Sequence, residues 1–202
     1  MTTPAPTPYD RLRWLGSEIM LGTFIALLSI FTGVASFQGS LSDSNQNKFQ
    51  FEGMQSLTDA NAEYLVANQH ILFDYTSFDS WNLEDDEETA EYYATNFSDA
   101  LTDSLETGTE FPFSDQYYDA MYTDAEELFT EADRRFKLAN DYNTRGDRLQ
   151  LVVLITAIGL AFAAWASLLN EKSNMRVIFS VMALITTFVG IAAYLTVPTV
   201  VG

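Results

Sequence analysis

Three long apolar runs interrupt an otherwise polar chain. "WLGSEIMLGTFIALLSIFTGVASF" opens at residue 14, "LQLVVLITAIGLAFAAWASLL" at 149 and "VIFSVMALITTFVGIAAYLTV" at 177. Each is long enough for the roughly 20 apolar residues that cross a bilayer as a helix. The pattern predicts transmembrane helices over 14–38, 148–169 and 177–198. The loop between the last two, 170–176, is so short that they must form an antiparallel hairpin. The first run also has marks of a signal peptide, with Arg11 and Arg13 before it and Ala35 and Ser36 near its end. Its apolar stretch is longer than a typical signal core, so it reads as a retained span.

Between the first two spans the pattern turns amphipathic. Met54, Leu57, Asn61, Tyr64, Asn68, Ile71 and Tyr75 fall at alternating steps of three and four, the seam of a coiled coil. Few helix breakers separate them from the first span. That span is therefore expected to run on as one helix, about 50 Å beyond the membrane at 1.5 Å per residue. Over 115–148 a second seam returns: Met121, Ala125, Leu128, Ala132, Arg135, Ala139 and Tyr142, flanked by Tyr122, Phe129 and Phe136. Large outgoing residues opposite returning alanines predict close antiparallel packing. Asn61 and Asn68 read as register devices, with binding of something polar as the alternative. Gly146 is a candidate kink before the second span.

Residues 83–107 read as one amphipathic helix capping the hairpin. Ala90, Tyr93, Ala94, Phe97, Leu101 and Leu105 form its apolar stripe, and Glu84, Glu88, Glu91, Asp99, Asp103 and Glu106 its wet side. Gly108 and Pro112 break it. The expected fold is all-α: an integral membrane protein with three transmembrane helices, an extracytoplasmic antiparallel helical hairpin and a helical cap.

Charge supports that division. The chain's formal net charge is −18, yet residues 39–147 hold 25 acids against 5 bases. The remainder is apolar and slightly basic, which fits a membrane protein with one large polar excursion. Arg11, Arg13, Lys172 and Arg176 flank one side of the spans, and Arg145 and Arg148 the other. The positive-inside bias puts the tail 1–13 and loop 170–176 in the cytoplasm of a bacterial inner membrane. Residues 39–147 and 199–202 then lie outside. Trp14 and Trp165 fall at the cytoplasmic interface.

Candidate chemistry is sparse. The absence of Cys excludes disulfides and thiolate sites, and a single His, His70, argues against zinc sites and Ser-His triads. Glu84, Asp85 and Glu88 are weak metal candidates, because "LEDDEETAEY" lacks the glycine of an EF-hand loop. No cofactor is expected, and the acidic face is a poor partner for nucleic acid. Glu18 is the one acid within a span. It lies shallow, where snorkelling or pairing with Arg11, Arg13 or a cytoplasmic-loop base competes with a functional role. No catalytic constellation emerges, so the chain is read as a non-enzyme.

Small residues recur on every span: Gly22, Ala26, Ser29 and Gly33 on the first; Gly159, Ala163 and Ser167 on the second; Thr186 and Gly190 on the third. Such rows let helix backbones approach. Either all of them pack internally, or some serve a homo-oligomer or a larger membrane complex. A scaffold or accessory subunit is the leading expectation. The alternative is a homo-oligomeric channel lined by Ser29, Thr32, Thr186 and Thr187, with the acids gathering cations at its mouth.

Two stretches carry a family resemblance. "TGVASFQGSLSDSNQNKFQFEGMQSLTDANAEYLVANQ" (32–69) is a span running into an Ala/Asn-rich helix. "AEELFTEADRRFKLANDYNTRGDRLQLVVLITAIGLAFAAWASLL" (125–169) returns through an Ala-Asn pair to the second span. Their order resembles uncharacterised bacterial inner-membrane proteins of the domain-of-unknown-function kind, with one span, an external helical segment and a closing two-span hairpin. Gly146 and Arg148 stand where those proteins usually carry Ser and Tyr. The resemblance implies fold and topology, and no activity.

Overall fold

A computed structural model describes residues 11–108 and 111–200. These form five α-helices and no strand: α1 (Glu18–Leu83), α2 (Glu87–Ala94), α3 (Asp99–Glu106), α4 (Asp115–Leu168) and α5 (Asn174–Leu195). A 3-10 turn, Arg13–Gly16, precedes α1. Most of the tail 1–13, the end of the C-terminus 199–202 and part of the 108–114 break lie outside the described residues. By length and composition, α1, α4 and α5 are each able to cross a membrane.

Both long helices form as expected. The first span and the outgoing seam are one 66-residue helix, and the returning seam and the second span are one 54-residue helix. The first span starts later than its apolar run. Ser17 is extended, and its Oγ accepts from Met20 N–H at 3.4 Å, so helical hydrogen bonding begins at Glu18. The last helix starts earlier and stops sooner. Ser173 caps its first turn, and it ends at Leu195, shortly before Pro198.

The chain forms two compact units, Met1–Lys48 with Leu138–Gly202, and Phe49–Lys137. In the first, α1 and α4 run antiparallel with α5 beside them. Thr32 Oγ1 donates to Thr156 Oγ1 at 2.7 Å, and a Cβ on Gly159 would touch both Leu28 and Thr186. Leu21, Phe24, Leu28, Ala163, Ala166 and Ala183 form its main apolar core. The helix runs unbroken through Gly146, the candidate kink. A Cβ there would lie 2.7 Å from Asp43 Oδ1, so that carboxylate would have to turn aside.

In the second unit the outgoing seam is displaced by one residue from the expected one. Gly53, Ala60, Ala67, Ile71 and Asp74 are buried, whereas Met54, Leu57, Asn61 and Tyr64 are exposed. Small residues therefore line the contact on both helices, since Ala125 and Ala132 are buried on α4. The large flanking residues come from α4 instead. A Cβ on Gly53 would lie 2.9 Å from the Phe136 ring, and Tyr122 stacks on Tyr64 at 5.0 Å. Backbones of two small-residue faces approach more closely than a large-on-small seam allows.

The expected single cap helix is broken into α2 and α3. Ser98 ends the continuity, because its N–H and hydroxyl both donate to Asp74 on α1, at 2.8 and 2.5 Å. Its Oγ also accepts from Leu101 N–H, starting α3. Leu101 is fully buried with Ile71, Phe113 and Tyr117, while α2 buries no residue. Gly108 closes α3 in the left-handed conformation, at φ +67°.

Candidate functional site

The small residues of the three spans divide sharply. Gly159 and Ala163 are buried, as is Gly190, whose added Cβ would lie 3.0 Å from Thr156. Thr186 meets Gly159 and donates to Met182 O. These residues hold the three-helix contact. Ser167 is exposed and bonds only to Ala164 O on its own helix. On α1, Gly22, Ala26, Ser29 and Gly33 are all exposed, and nothing lies within 4 Å of a Cβ added at Gly22 or Gly33. Among the described residues no helix lies against that stripe.

Two arginines latch the ends of the same bundle. Arg176 is only 5% exposed, and it donates from Nε to Gly16 O at 2.7 Å and from Nη1 to Leu169 O at 2.8 Å. It thus joins the N-terminal turn, the end of α4 and the start of α5. At the opposite end Arg145 donates to Pro198 O at 2.6 Å and to Gln38, which donates to the Tyr194 hydroxyl. In the sequence both bases serve mainly as orientation signals. A base abutting an apolar run is the one signal that could have marked Arg176. Glu18 is exposed at the first residue of α1, where a carboxylate complements the helix dipole.

In the second unit the site that sequence reasoning missed is Asp74. It is 1% exposed, and accepts from Ser98 N–H, Ser98 Oγ and, at 2.7 Å, the Tyr117 hydroxyl. A buried carboxylate is tolerated when donors surround it. Its signal was an acid at step seven from Ala67 on the buried line. A shallow cleft of about 480 Å³ lies beside it, lined by Gln69, His70, Phe73, Asn96 and Phe97 among others. Burial, and then the bond to Asp74, push the Tyr117 phenol above its ordinary value near 10. A raised folded-state value means stability that is full below pH about 10 and lost as pH rises through it. Alkaline unfolding is therefore expected to be steeper for the natural chain than for Tyr117→Phe, measured by circular dichroism from neutral pH to about 11. Equal slopes would show that Tyr117 ionises freely.

Asn68 meets the returning helix, accepting from the Tyr122 hydroxyl at 2.9 Å. Asn61 does not; its amide donates to Leu57 O on its own helix, which removes it from the expected register pair. Arg135, read as a seam residue, bridges the helices by donating to Glu52 at 2.6 Å and to Glu131 at 2.5 Å. Hydrogen bonds from Arg134 and Arg135 hold the Glu131 carboxyl down at about 2.

Glu84, Asp85 and Glu88 are exposed, and Glu84 and Asp85 lie in the break before α2 instead of on a helix. Asp86 caps α2 by accepting from Thr89 N–H and Oγ1. Among the described residues no three His, Asp or Glu side chains gather as a metal-ligand set. No family model matches the chain, and no curated protein or solved structure matches it.

Proposed function

We propose that this protein is a non-catalytic integral membrane scaffold or accessory subunit, assembling through the outer face of its first span. The observation that carries this reading is the unpartnered stripe Gly22, Ala26, Ser29 and Gly33, beside internal use of the small residues Gly159, Ala163 and Gly190. In lipid, a row of small residues gains packing only when another helix fills it. The proposed setting is a bacterial inner membrane, with the N-terminus cytoplasmic and residues 39–147 outside. The acidic hairpin then offers a second, soluble surface to a second copy or to a larger complex.

The channel alternative has less support. Thr32 bonds to Thr156, and Thr187 is buried and donates to Ala183 O. Of the lining proposed for a pore, Ser29 remains the plainly outward group.

Native mass spectrometry of the protein extracted in mild detergent from its own membranes tests the reading. A mass at a multiple of 22.6 kDa, or co-purifying subunits, is expected. The double change Gly22→Leu with Gly33→Leu should release monomers with unchanged helix content, since both positions face open space. A monomeric natural chain without subunits would sink the proposal.

A further inference from the structure

A groove runs between α1 and α4 at the end of the span bundle that Arg145 latches. It holds about 500 Å³, the size of a small-ligand pocket. Val153, Leu154 and Ala157 line its apolar length, and Ser40, Gln150 and Asp43 its polar end. Gly39 forms part of its floor, where an added Cβ would already touch Leu149 at 3.7 Å. The apolar length falls within the first two spans as length and hydropathy bound them, and Ser40 and Asp43 fall just past the first. The groove therefore straddles the expected membrane surface.

Asp43 is the one charged group in this lining, and it is half-buried. Its Oδ1 rests against the α4 backbone at Gly146. Among the described residues it has no hydrogen-bond donor and no base within ion-pair distance. Arg145, next to Gly146 in the chain, is directed to Pro198 O and Gln38. Arg148 follows Gly146 by two residues, about 200° around the helix, and so faces away from the groove. A carboxylate packed between helices without a cation gains when a charged donor reaches it.

We infer that this groove binds a phospholipid with a primary ammonium headgroup. One acyl chain lies along Val153, Leu154 and Ala157, and the ammonium donates to the Asp43 carboxylate. The Ser40 hydroxyl and the Gln150 amide are neutral donors for the phosphate oxygens beside it. A groove that is apolar at one end and anionic at the other selects an occupant with an apolar chain and a cation at headgroup level. That charge complementarity favours a zwitterionic amine lipid over an anionic one. A quaternary ammonium carries the same charge but no N–H, so it keeps the Coulomb attraction and loses the hydrogen bond.

Such a site presupposes the membrane reading above, and the test separates the two. The full chain is purified in detergent micelles holding equal phosphatidylethanolamine and phosphatidylcholine, and its retained lipids are identified by native mass spectrometry. The natural chain should retain phosphatidylethanolamine over phosphatidylcholine by about tenfold, the scale of one hydrogen bond to a charged group. Asp43→Asn keeps the side-chain shape and removes the charge, and should erase that preference. Ala157→Leu, at an exposed position, narrows the apolar end and should lower retention of both lipids together. A chain that enters micelles and shows no preference, or a preference that survives Asp43→Asn, overturns the site alone. A dimer free of lipid makes a second copy the occupant and also overturns it. Free ethanolamine displacing the lipid at equal concentration overturns the lipid as source. A chain that stays soluble and monodisperse without detergent overturns the membrane reading, and the site with it.

Discussion

Replacing Asp74 by alanine is expected to destabilise the 49–137 unit by about 3 kcal/mol. The change strands three donors at once: Ser98 N–H, Ser98 Oγ and the Tyr117 hydroxyl. Tyr117 is itself fully buried, so water cannot replace the lost acceptor cheaply. The break between α2 and α3 exists because Asp74 holds Ser98 there. Loss of the carboxylate should also loosen α3 and its buried Leu101. Asp74→Asn keeps one acceptor oxygen and should cost less, about 1–2 kcal/mol. The measurement is thermal unfolding of the full chain in detergent, followed by circular dichroism, with amide exchange across 95–108. A loss below about 0.5 kcal/mol for the alanine variant would show that the node carries no stability.

Gly159→Val is the second large effect, expected at about 3 kcal/mol against the three-span contact. Its Cβ would sit 2.6 Å from Thr186 Oγ1 and 3.1 Å from Leu28 Cδ1. Leu28 belongs to the main apolar core and is fully buried, so it has little room to yield. The helices must separate, and the bond from Thr32 to Thr156 lies in the same contact. Gly22→Val is the control. It adds the same side chain where no described atom of this chain lies within 4 Å, and should leave unfolding of the dissociated monomer in mixed micelles unchanged. Equal stability of the two variants would mean that the spans do not pack through Gly159.

The two variants also show where reading the sequence succeeds and where it stops. Length and hydropathy alone mark three stretches able to cross a membrane, because a bilayer demands a fixed number of apolar residues whatever they pack against. Periodicity also reveals that the first and second spans continue as seams, since no proline interrupts either helix. The returning line of Ala125, Ala132 and Ala139 is legible for the same reason.

The outgoing line misleads. Met54, Leu57 and Tyr64 are the more apolar choice, yet Gly53, Ala60 and Ala67 are buried. Hydrophobicity ranks large side chains above small ones, but close backbone approach selects small ones, and one residue of rotation separates the two faces. Folding also decides which glycines are consumed. Gly22 and Gly159 sit in equivalent sequence patterns, and only their neighbours in space distinguish them. Asp74, Ser98 and Tyr117 are 24 and 43 residues apart from the acid outward, too far for any local rule to join. Arg176 with Gly16 spans 160 positions. The sequence by itself determined the helices and the apolar length of three of them, because both are sums over neighbouring residues. The tertiary structure alone decided the faces, the break at Ser98 and the Arg176 latch, because each depends on atoms brought together from distant parts of the chain.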